Sequence, residues 1–117
     1  MPRPHRALAA VGSLLLASSG ITLTIATDAS AATCGAHKVT SIPGARAEYR
    51  LACKSGNLRV YGWVKDTRAD DFFAALHVHT PNGQANSAFA NGWGKVEHFS
   101  FYFADTRSAE VRLSLDD

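Results

Sequence analysis

From residue 46 onward the chain alternates apolar and polar positions with a period of two, the repeat of a half-buried strand. Ala47, Tyr49, Leu51 and Cys53 fall on one face, with Glu48, Arg50 and Ala52 on the other. Leu58, Val60, Gly62 and Val64 alternate with Arg59, Tyr61, Trp63 and Lys65. Phe72, Ala74, Leu76 and Val78 alternate with Phe73, Ala75, His77 and His79. Phe99, Phe101 and Phe103 alternate with His98, Ser100 and Tyr102, and Val111, Leu113 and Leu115 with Glu110, Arg112, Ser114 and Asp116. A shorter strand is expected through Ser87-Ala88-Phe89-Ala90.

Turn chemistry separates these runs. Lys54-Ser55-Gly56-Asn57 suits a tight hairpin, and Pro81-Asn82-Gly83 is the clearest hairpin signal in the chain. Asn91-Gly92-Trp93-Gly94 is a looser, glycine-rich connection. Asp66-Thr67-Arg68-Ala69 and Asp105-Thr106-Arg107-Ser108 each follow an aromatic strand, which predicts one turn geometry used twice. No segment sustains an apolar period of 3.6. The pattern predicts an all-β protein, an antiparallel β-sandwich of six or seven short strands with one polar face per strand.

The N-terminus follows a different rule. Met1 to Arg6 is a short basic stretch, Ala7 to Ala26 is uncharged and mostly apolar, and Thr27 to Ala32 supplies small residues. This is the layout of a secretory signal, with cleavage after Ala31 or Ala32. The expected organisation is a signal peptide over 1–32 and a single domain over 33–117, secreted and free of the membrane once cleaved. Export places Cys34 and Cys53, the only cysteines, where disulfides persist, so they are expected to form one structural bridge.

Charge narrows the partners. Of 12 Lys+Arg and 10 Asp+Glu, Arg3, Arg6 and Asp28 lie in the signal, which leaves the remainder nearly balanced. That balance predicts no nucleic-acid footprint. At 46% hydrophobic the chain is too apolar for intrinsic disorder, and the expected domain is too short for a nucleotide-binding α/β fold.

The run Val60-Tyr-Gly-Trp-Val-Lys-Asp-Thr-Arg-Ala-Asp70 resembles a strand-and-turn pattern of small secreted actinobacterial proteins, in which Val-x-Gly-x-Val leads into Asp-Thr-x-Ala-Asp. The similarity covers roughly residues 46–115. It implies an exported β-sandwich of a group whose members largely lack an assigned activity, and it carries no catalytic residues to this chain. The single cysteine pair departs from that group.

Two constellations suggest chemistry. His77 and His79 project from one strand face at metal-ligand spacing, with His98 as third ligand and His37 as a fourth, for Zn or Cu. The competing reading is that both histidines simply fill a solvent face, with no cofactor. Tyr61, Trp63 and Phe73 occupy nominally polar faces of two consecutive strands, and Trp93 sits in a glycine-flanked loop. If those strands pair, the rings form a platform for a carbohydrate or a partner protein; otherwise they are buried packing. Asp70-Asp71 and Asp116-Asp117 diverge in extended chain and read as turn-formers and solvated charge. Motifs for a nucleophile, a phosphate-cradling loop or a calcium loop are missing, so no enzymatic activity is expected. The leading expectation is a non-enzymatic binding module, followed by a metal-binding protein. An inhibitor of secreted proteases presenting loop 104–109 comes third.

Overall fold

Eight strands organise residues 27–117, the part of the chain that the computed structural model describes. They are β1 (Thr27–Thr33), β2 (His37–Ile42), β3 (Ala45–Lys54), β4 (Asn57–Asp66), β5 (Phe73–His79), β6 (Ala85–Ala90), β7 (Val96–Phe103) and β8 (Ser108–Asp116). All pairings are antiparallel and build two four-stranded sheets, ordered β1-β8-β5-β6 and β2-β3-β4-β7. The basic start and apolar stretch of the expected signal, residues 1–26, lie outside the described residues.

The two sheets pack through the apolar faces that the alternation marks out. Ala47, Tyr49 and Leu51 of β3 and Val60 and Val64 of β4 are buried on one side of the core. Leu76 and Val78 of β5 and Val111 and Leu113 of β8 are buried on the other. On β7 the rings of Phe99 and Phe101 stack 4.9 Å apart and extend the core toward Phe103. Phe72, which the alternation assigns to the core, lies ahead of β5 and is exposed.

The Cys34–Cys53 disulfide is formed, with 5.5 Å between the Cα atoms. Cys34 follows β1 of one sheet and Cys53 lies one residue before the end of β3 of the other, so the bridge ties the sheets together. In the chain-entropy model a loop of this length stabilises by about 3 kcal/mol.

Local chemistry sets the connections. Ser55 (φ 54°) and Gly56 (φ 81°) both adopt the left-handed region in the two-residue turn between β3 and β4, the geometry that matches the twist of paired strands. In the β5–β6 turn the Asn82 amide donates to the carbonyls of Ala104 and Asp105, while the Gln84 amide donates to that of Ala104. The hairpin is thereby stitched to the β7–β8 connection. Asp66 is 1% exposed, and its carboxylate accepts the backbone N–H groups of Arg68 (3.1 Å) and Gly92 (2.9 Å). It holds the β4–β5 and β6–β7 connections together.

The second Asp-Thr-Arg turn is built differently. Asp105 is left-handed (φ 57°), its N–H donates to Asn57, and Thr106 rather than the aspartate bonds the backbone two residues on. The shared geometry expected from the sequence is absent because one aspartate is buried as a hub and the other is an exposed turn position. Strands β1 and β2 go beyond the six or seven expected. The expected boundary between residues 32 and 33 falls inside β1, whose Ala32 is buried.

Candidate ligand-binding face

Antiparallel register turns the outward-facing residues of β2, β3, β4 and β7 into a grid. One row crosses the sheet as Val39, Glu48, Trp63 and His98, and the next as His37, Arg50, Tyr61 and Ser100. Ala52, Arg59 and Tyr102 form a third row, while Ser41, Arg46, Lys65 and Val96 form a fourth. Among the described residues no strand covers this side, and Tyr102 is 73% exposed.

Neighbouring rows interlock. The Arg59 guanidinium carbon lies 4.1 Å from the centre of the Tyr61 ring and 5.8 Å from that of Tyr102. Its Nε donates to the Ser100 hydroxyl at 2.8 Å, which fixes the guanidinium plane between the rings. On the other flank His37 Nε2 lies 2.6 Å from a Glu48 carboxylate oxygen. That hydrogen bond is the main reason the Glu48 carboxyl is held below its ordinary value, with smaller contributions from the charge of His37, the Trp63 side chain and Arg50.

Two hollows open on this face. Glu48, Arg50, Tyr61 and Trp63 surround a depression of about 220 Å³ floored by the backbone of Tyr49 and Gly62. The floor is backbone alone, with no room for a side chain at Gly62, where a Cβ would lie 1.9 Å from the Glu48 carbonyl oxygen. A second hollow of about 430 Å³ lies at the β3–β4 hairpin end, lined by residues that include Ala52, Lys54, Arg59 and Tyr102. Arg59 links the hollows, since it lines the second and stacks on Tyr61, a wall of the first.

Such a face offers flat aromatic surface for a sugar ring, a carboxylate to accept hydroxyls and guanidinium groups to donate. Arg46, Arg50, Arg59 and Lys65 share these outward rows with the single carboxylate of Glu48, so this face is positive although the whole chain is nearly balanced.

The sequence-expected residues divide between the sheets. Tyr61 and Trp63 belong to this face. Phe73 does not join them: β4 and β5 lie in different sheets, so they form no hairpin, and Phe73 packs edge-on against Phe89 at 5.4 Å. Trp93 stands on the β6–β7 connection, 74% exposed.

The histidines divide likewise. His77 and His79 face outward from β5, whereas His98 lies on β7 of the opposite sheet and His37 is engaged by Glu48. His77 Nδ1 lies 2.7 Å from the Ser87 hydroxyl and Nε2 3.0 Å from the Asp116 carboxylate. Among the described residues no group of three His, Cys, Asp or Glu side chains is placed to hold a metal ion. The Ser87–His77–Asp116 hydrogen-bond chain is flanked by Phe89, which packs edge-on to the imidazole. It acts as a clamp across β6, β5 and β8.

Sequence reading missed Glu48, Arg50, Arg59 and Tyr102 as members of the site. The alternation placed all four on polar faces, but only the order β3-β4-β7 makes those faces one surface. No protein-family model, curated protein or solved structure matches this chain.

Proposed function

We propose that the protein is a secreted, non-enzymatic binding module whose outer β2-β3-β4-β7 face takes an anionic polysaccharide. The observation that carries this reading is the cluster of Tyr61, Trp63 and Tyr102 interleaved with Arg50 and Arg59 on an uncovered sheet face. Aromatic planes stack on the apolar faces of sugar rings, and arginines make paired hydrogen bonds to carboxylate or sulfate groups. The signal-like N-terminus, the disulfide and the resemblance to small secreted actinobacterial proteins support action outside the cell.

The test is calorimetric titration with a polyuronate and, in parallel, with a neutral glucan of equal length. Binding of the polyuronate that weakens about tenfold or more in Trp63→Ala and Arg50→Ala, and stays unchanged in the opposite-face variant Phe89→Ala, supports the reading. Equal affinity for both polymers removes the anionic part. Binding that survives both variants, or binding to neither polymer, removes the site.

A further inference from the structure

Strand β1 pairs with β8 from Thr27 opposite Ser114 to Thr33 opposite Ser108. Its side chains are also engaged: Ser30 lies 3.3 Å from the buried Tyr49 hydroxyl, and Asp28 accepts from Thr40. The signal-cleavage pattern lies within this same strand. Scission after Ala32 removes all of β1 except Thr33 and leaves the edge of β8 away from β5 unpaired from Ala109 to Ser114. An open edge of that kind, backed by the buried residues Val111 and Leu113, is a template for another strand.

We infer that the processed protein closes this edge with a second copy of itself, β8 pairing antiparallel with β8 of the partner about a two-fold axis through Val111. The sequence of β8 is self-complementary in that register alone among its neighbours. Residues 109 to 113 read Ala-Glu-Val-Arg-Leu, so Glu110 of each copy stands opposite Arg112 of the other on the outward face. On the inward face Ala109 meets Leu113. Shifting the axis by one residue to Arg112 sets like charges opposite, and shifting it two residues to Leu113 sets Glu110 against Asp116. A cross-strand pair of opposite charge stabilises a sheet and a like pair opposes it. A two-fold interface also doubles each such contact. The two-fold pairing over Ala109–Leu113 lies within the freed stretch and needs nothing that Thr33, opposite Ser108, still occupies.

This inference rests on cleavage after Ala32, which belongs to the secretion reading, and the experiment separates the two. The secreted protein is purified, its intact mass fixes the first residue, and sedimentation velocity over a range of concentration fixes its association state. A chain starting at Thr33 that dimerises is the expected result. Arg112→Glu then weakens the dimer by roughly tenfold or more, and the double variant Glu110→Arg/Arg112→Glu restores it, because the swap rebuilds both pairs. Restoration also shows that the single variant has not simply misfolded. A chain that starts at Thr33 and stays monomeric overturns the β8 pairing. A dimer indifferent to both variants overturns the interface. A mature chain that still contains Thr27 overturns the premise, since β1 then remains on β8.

Discussion

The Arg59 guanidinium is sandwiched against the Tyr61 ring, 4.1 Å from its centre, while its Nε is held by Ser100 from the neighbouring strand. A cation fixed over a ring is worth about 0.5–1 kcal/mol at an exposed site, so the contact orders the face without dominating stability. Arg59→Gln is therefore expected to change the unfolding free energy by less than about 1 kcal/mol. It should weaken polyuronate binding severalfold and flatten its dependence on salt. Parallel urea unfolding and calorimetry at two ionic strengths check both effects.

Asp66 is a structural hub. Removing its carboxylate takes the acceptor from the part-buried N–H groups of Arg68 and Gly92, and each lost bond costs about 1–2 kcal/mol where water can replace it only in part. Asp66→Ala should lower stability by about 2–4 kcal/mol in urea unfolding. Asp105→Ala, at the exposed copy of the turn, should cost much less.

Gly62 has no room for a side chain, because an added Cβ would lie 1.9 Å from the Glu48 carbonyl oxygen and 2.8 Å from the Tyr49 Cα. Both atoms are backbone, so relief requires the strands to part. Gly62→Ala should cost about 3 kcal/mol or more, beyond ordinary overpacking, and thermal unfolding measures it. Gly83→Ala, where an added Cβ meets nothing within 4 Å, bears only the cost of its positive φ.

The Glu48 carboxyl is held below its ordinary value of 4.5, chiefly by the hydrogen bond to His37. A lowered folded-state value stabilises the fold above the unfolded value, and that contribution is lost as pH falls through the folded one. The stability difference between the wild type and Glu48→Gln should therefore be present above about pH 4.5. It should shrink as the pH drops below about 4.5 and vanish once the carboxyl is protonated. Thermal unfolding of both proteins across that range gives the curve.

The class of fold was legible because alternation over β3, β4, β5, β7 and β8 is the direct signature of sheets buried on one side. Leu58, Val60 and Val64 fill the core as the pattern assigns them, and the Ser55-Gly56 turn forms where its residues allow positive φ. Strand β1 was hidden because its small residues are also those a signal peptidase reads. Strand β2 was hidden because Lys38 and Val39 are both exposed, so no alternation marks it. The site was half legible. Tyr61 and Trp63 share a face by parity within one strand, but joining them to Glu48, Arg50 and Tyr102 takes knowledge of which strands are neighbours. Phe73 was misjoined for the same reason: strands consecutive in sequence lie in opposite sheets.

The most direct measurement is an amide and indole chemical-shift titration of the ¹⁵N-labelled protein with a polyuronate oligomer. The predicted result is a contiguous set of shifts that includes the Trp63 indole N–H and the amides around Arg50, Arg59, Tyr61 and Tyr102. The amides around His77 and Ser87 on the opposite sheet should stay fixed. Shifts confined to that opposite face, or no shift at saturating oligomer, would contradict the assignment of the binding face.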